Sequence, residues 1–202
     1  MNQHPFFEEI INYPDLVTFC NMEITELPQA YIGKGEIKAI LLGADPTNNG
    51  IKTNKGQKQL KTVFGIDEYT EFFRPQLTNL NQVGLTVDNL YIQNVCRNYF
   101  VDETSKNKNW NKIAQLWLKH LKEELDAFDP ERKLPVLATS EVIVKVLIEI
   151  PVSKAREIYD KVMSFYSRAL DRKIYAFYRH PAYALSSSKN KIYKNFLKDS
   201  LM

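Results

Sequence analysis

The stretch Ile37-Lys38-Ala39-Ile40-Leu41-Leu42-Gly43-Ala44-Asp45-Pro46 decides how the rest of the chain is read. Its apolar run is nearly continuous, as a strand covered on both faces requires. Gly43 permits a tight turn, and the residue before a proline is biased to extended backbone, so Asp45 is held at a rigid strand exit. An ordinary turn, or an Asp capping a following helix, would look the same locally. Three further runs share the pattern: Asn89 to Gln93 ending at Asn94, Leu134 to Ala138 ending at Thr139-Ser140, and Lys173 to Tyr178 ending at Arg179-His180-Pro181.

Helical patterns lie between these runs. From Trp110 to Phe128, Ile113, Trp117, Leu121, Leu125 and Phe128 form one apolar stripe. Ser140 reads as the cap of a helix over Glu141 to Ile150, stopped by Pro151. Ser153 to Leu170 and Lys189 to Leu201 read as two more helices, and Thr47 to Asn89 as an elaborated loop with short helices. Strands alternating with helices imply parallel pairing through right-handed crossovers. The expected fold is a single α/β domain over residues 1–202, a three-layer α/β/α sandwich around a central, mainly parallel four-stranded sheet. Ligands of such open sheets bind beyond the carboxyl ends of the strands. That rule brings Asp45, Asn94 and His180 to one cleft.

Composition narrows the classes. The chain of 202 residues is 44% hydrophobic and 25% charged, ordinary values for one globular core. No apolar run approaches the roughly 20 residues of a membrane helix, and the opening MNQHPFFEEI lacks the basic start of a signal peptide, so a cytoplasmic protein without membrane contact is expected. Cys20 and Cys96 are in no metal spacing, cannot supply a four-cysteine cluster, and read as two buried thiols. No GxGxxG dinucleotide loop, phosphate-binding loop or GxSxG nucleophile elbow occurs. No metal or cofactor is expected. Net charge is only +3, but Arg172 to Lys198 holds seven basic residues and no acidic one. This reads either as a solvated basic face or as a surface for phosphates.

The set Gly43-Ala44-Asp45-Pro46-Thr47, Leu90-Tyr91-Ile92-Gln93-Asn94 and His180-Pro181-Ala182-Tyr183-Ala184-Leu185, in that order, resembles the uracil-DNA glycosylase superfamily. The likeness in strand and helix order spans about residues 36 to 200. It implies a monomeric enzyme of DNA base-excision repair, a hydrolase cutting the N-glycosidic bond of uracil or a related damaged base flipped out of DNA. Asp45 and His180 would then be catalytic. Asp45 would position water and stabilise the cationic sugar, while His180 would bond a carbonyl of the departing base. Asn94 would pair with the base edge, the Ala44 amide would add a donor, and the Phe64 ring would stack on the base, although a core phenylalanine reads equally well there. Leu185 would be the wedge filling the gap in the helix. Ser186, Ser187, Ser188, Lys189 and Lys191 would hold the DNA backbone at a helix N-terminus. Thr47 and Ala182 depart from the family's aromatic and serine, and Leu185 comes one place late. Two other readings stay open: a non-catalytic nucleic-acid binder on the same scaffold, and a small-molecule hydrolase using Asp45.

Overall fold

The apolar run beginning at Ile37 becomes a strand at Ala39, and every residue of that strand is buried. The computed structural model describes residues 4–47, 59–68, 70–148, 157–158, 164–177 and 184–201. In chain order its elements are α1 (Pro5–Ile10), α2 (Pro14–Val17), β1 (Tyr31–Ile32), β2 (Ala39–Gly43), α3 (Thr70–Gln82), β3 (Leu90–Asn94), α4 (Trp110–Phe128), β4 (Val136–Ala138), α5 (Glu141–Leu147), β5 (Ser164–Ser167), β6 (Arg172–Ala176) and α6 (Lys191–Leu201). Together they make a mixed α/β protein around one six-stranded sheet, ordered β1-β3-β2-β4-β6-β5.

The inner strands β3, β2, β4 and β6 run parallel. All residues of β2, β3 and β4 are buried. Side chains of a strand alternate between faces, so both faces of this central part are covered. The sheet is nevertheless wider than four strands. Two antiparallel edge strands, β1 beside β3 and β5 beside β6, complete it.

The β5 edge corrects the helix expected over Ser153 to Leu170. Residues Ser164–Ser167 pair with Arg172–Tyr175 in a hairpin. Phe165 and Tyr166 favour a strand, and Asp171 takes the left-handed turn position with φ 54°. Helical spacing of apolar residues was therefore compatible with a strand whose exposed face carries Tyr166. The Thr47 to Asn89 region also differs from expectation, because α3 is a full helix of 13 residues. The bounds of α4 are those its stripe predicts.

Chain order places a topological switch at the middle of the sheet. From β2 the chain moves to β3 on one side, then crosses back to β4 on the other. The crevice beyond the carboxyl ends of β2 and β4 is where such sheets take ligands. Thr139 ties the two exits together, donating from its amide and its Oγ1 to the Leu42 carbonyl at 3.1 and 2.8 Å. Cys20 and Cys96 are buried, unpaired thiols. Among the described residues no helix is long and apolar enough to cross a membrane.

Candidate functional site

Gly43 ends β2 directly beside Asn94, the last residue of β3. A Cβ at Gly43 would come within 2.3 Å of Asn94 Oδ1 and 2.7 Å of Phe64 Cζ. Only glycine allows the amide and the ring to approach this strand exit together. The register of two parallel strands and the turn carrying Phe64 thus converge on one point.

Phe64 lies in a short 3-10 turn, Val63–Gly65, with φ 59° and ψ 5°. A left-handed conformation costs a residue with a bulky side chain on the order of 1–3 kcal/mol and persists only where the surroundings impose it. Here the turn is anchored by Val63 N donating to Gln29 O at 2.9 Å. The ring is half-buried rather than part of the sealed core, with its centroid 5.3 Å from that of Phe73. The ring packs against the hydrophobic core while keeping part of its surface exposed, so both sequence readings of Phe64 stand.

Asn94 is 2% exposed, yet its Oδ1 accepts no hydrogen bond from the described residues. Its backbone is fixed from behind. Asn94 N donates to Gln93 Oε1 at 2.9 Å, and Gln93 Nε2 donates to Glu124 Oε1 at 2.5 Å. Tyr91 Oη and Arg97 Nη1 bind the same Glu124 carboxylate. A buried carbonyl oxygen with no partner costs free energy unless something outside the fold donates to it. At the switch point, Ser140 Oγ is another buried oxygen without a partner among the described residues.

Asp45 is half-buried two residues beyond Gly43. Its Oδ1 accepts from Thr47 N at 3.0 Å. Its Oδ2 accepts from Thr104 Oγ1 at 2.5 Å and from Trp110 Nε1 at 2.9 Å. Burial pushes the carboxyl above the usual aspartate range, and the hydrogen bonds from Thr104, Thr47 and Trp110 oppose that shift. Thr104 and Trp110 escaped the sequence reading, which saw Trp110 only as the start of an apolar stripe. Ala44 is half-buried, and its carbonyl accepts from Cys96 N at 2.9 Å.

Other expected site residues fare differently. His180 lies outside the described residues, as do Pro181, Ala182, Tyr183 and Arg179. Leu185 is 2% exposed, packed in the core, with its amide held by Asn79 Oδ1 at 2.9 Å. It does not have the exposure a wedge requires. Ser186, Ser188, Lys189 and Lys191 are exposed and Ser187 half-buried, leading into α6. Arg172 leaves the basic surface altogether. It is 2% exposed and bonded to Asp129, to Asp126 and to the Leu125 carbonyl.

The cluster assembled at the β2 exit is thus an anchored carboxylate, an unengaged amide oxygen and a strained aromatic ring. No protein-family model and no curated protein sequence matches this chain, so the functional reading rests on that cluster.

Proposed function

We propose that this protein is a DNA glycosylase that hydrolyses the N-glycosidic bond of uracil or a related damaged base. The observation that carries the reading is the unengaged Asn94 Oδ1, buried beside the Phe64 ring over Gly43. A flat ring next to a fixed acceptor suits a flat heterocycle with an N–H edge. Asp45 stands two residues away with one described donor on Oδ1, leaving that oxygen room to accept from a water. Water attacks C1′ of the sugar, the glycosidic electron pair leaves with the base, the proton lost by the water ends on the departed base, and the ionised Asp45 offsets the positive charge developing on the sugar. Following the resemblance, His180 bonds a base carbonyl as negative charge builds there.

The test uses duplexes bearing a single uracil, hypoxanthine or mismatched thymine, with cleavage of the resulting abasic site as readout. Asp45→Asn should lower single-turnover excision by roughly 10²-fold or more with little loss of DNA binding. Asp45 must be ionised to act, and its pKa is raised. Wild-type excision should therefore fall with decreasing pH through an inflection above the ordinary aspartate range, and that limb should vanish in Asp45→Asn. Wild-type rates in Asp45→Asn would make Asp45 a turn residue. Binding of DNA without excision would favour the non-catalytic binder. No DNA binding at all would favour a small-molecule hydrolase, a reading that the inward-facing Leu185 and Arg172 also suit.

A further inference from the structure

The Asp45 carboxylate is held by neutral donors that reach it from three points of the chain. Thr47 N donates to Oδ1, while Thr104 Oγ1 and Trp110 Nε1 both donate to Oδ2, at 2.5 and 2.9 Å. Each carboxylate oxygen has two lone pairs, so Oδ2 is filled and Oδ1 keeps one acceptor position. Neither donor on Oδ2 is loosely placed. Trp110 is 2% exposed at the first turn of α4, with its amide donating to the Asn107 carbonyl at 3.2 Å. Thr104 lies inside a turn closed by Lys106 N and Asn107 N on the Glu103 carbonyl, at 2.8 and 3.1 Å. A bond from Phe100 N to Thr47 Oγ1 at 3.0 Å ties this loop to the strand exit that carries Asp45.

The kind of donor is informative. Where the fold uses carboxylates as braces, it pairs them with a cation: Asp126 and Asp129 both meet Arg172. Asp45 forms no ion pair among the described residues. Its donors fix the carboxylate without cancelling its charge. A brace has no use for an uncancelled charge, whereas a group that must face a developing cation needs one. Burial works against that charge by raising the carboxyl, and the donors oppose the rise, so each helps to keep Asp45 ionised.

We propose that Thr104 and Trp110 are positioning residues for Asp45: together they fill Oδ2 and so commit the carboxylate to offering Oδ1 to the attacking water. The proposal rests on the glycosylase reading and adds to it the pair of residues that governs the aim and the ionisation of its carboxylate.

The experiment follows single-turnover excision against pH for wild type, Thr104→Val, Thr104→Ser and Trp110→Phe, on the uracil, hypoxanthine and mismatched-thymine duplexes. Valine keeps the shape of threonine without the donor, and serine keeps the donor. A hydrogen bond to the ionised carboxylate lowers its pKa, so losing one raises it. The acidic limb should therefore move up by about one pH unit in Thr104→Val and in Trp110→Phe, the order of one charge-assisted bond. It should return to the wild-type position in Thr104→Ser. The plateau above the limb should fall about 10-fold in Thr104→Val and Trp110→Phe, because the carboxylate is then free to turn. A merely structural role would lower the rate alike at every pH. If Trp110→Phe does not fold, the two Thr104 variants decide, since Thr104 is only half-buried on its turn. An unmoved limb in Thr104→Val overturns the proposal, and so does a limb that Thr104→Ser moves as far as Thr104→Val. The Asp45 carboxyl is also titrated by NMR in the DNA-free proteins, where its inflection should move in the same order. A wild type that excises no base, with that inflection moving as expected, defeats the glycosylase reading and takes the catalytic purpose of the pair with it. An active wild type whose inflection is the same in all variants defeats the pair alone.

Discussion

At Gly43 one hydrogen atom in place of a methyl group decides whether the site exists. The Asn94 oxygen and the Phe64 ring occupy the space where any larger residue would put its Cβ. Contacts of 2.3 and 2.7 Å are shorter than a real Cβ tolerates, so in Gly43→Ala the amide or the ring must move. The ring sits on a turn held in a left-handed conformation, and the amide on a buried strand end, so neither yields without cost. Overpacking of this kind destabilises by about 1–3 kcal/mol, a loss that leaves a folded protein. The proposed excision would be far more sensitive, because displacement of a positioning group by about 1 Å can cost on the order of 10²-fold. Gly43→Ala should therefore keep its circular dichroism spectrum and lose excision by about that factor. A variant with normal excision would show that Asn94 and Phe64 do not form the base pocket.

Among the elements, β6 shows how a residue read as surface becomes structure. Arg172 opens β6 and reaches the end of α4, where its Nη2 donates to the Leu125 and Asp129 carbonyls at 3.0 and 2.7 Å and to Asp126 Oδ1 at 3.0 Å, while Nη1 pairs with Asp129 Oδ2. Burial alone would raise the Asp126 pKa, but bonds from Lys122, Arg132 and Arg172 hold it at about 2. Removing one partner of a buried ion pair leaves an uncompensated charge, at a cost of about 3–5 kcal/mol. Arg172→Ala should show that loss in urea unfolding, and an unchanged midpoint would contradict the bracing role. The misreading has a plain cause, since a count of basic residues along the chain carries no information on which of them meet a carboxylate in space. The inner strands were legible for the opposite reason: burial on both faces writes itself into the sequence as an unbroken apolar run, as in Ala39 to Leu42. The edge strands left no such trace. Tyr31-Ile32 is too short to show alternation, and Ser164 to Ser167 overlaps a helical spacing. Asp45 and Asn94 were legible because strand exits are positions that topology singles out. Thr104 and Trp110 were not, because they reach Asp45 from 59 and 65 residues away.

Taken as a whole, the molecule presents different surfaces at the two ends of its sheet. Lys198, Ser200 and Leu201 at the end of α6 line a cleft with Glu36, Lys38, Lys133 and Pro135, at the amino ends of β2 and β4. The start of α6 is the opposite end of that 11-residue helix from the cleft. Lys189 and Lys191 are exposed there, with Ser188 beside them and no acidic residue until Asp199. If DNA held against the site runs over the start of α6, those two lysines meet phosphates and Lys198, at the other end of the helix, does not. Each phosphate contact releases condensed counterions, so the slope of log affinity against log salt counts the contacts made. Lys189→Ala and Lys191→Ala should each reduce that slope by about one unit, equally on all sequences, because phosphate contacts position without reading bases. Excision by DNA-saturated enzyme should stay near wild type in both. Lys198→Ala, which removes the same charge from the opposite end, should leave the slope unchanged. Equal slopes for all three variants would mean that the protein responds only to net charge, and the start of α6 would lose its claim to be DNA-facing.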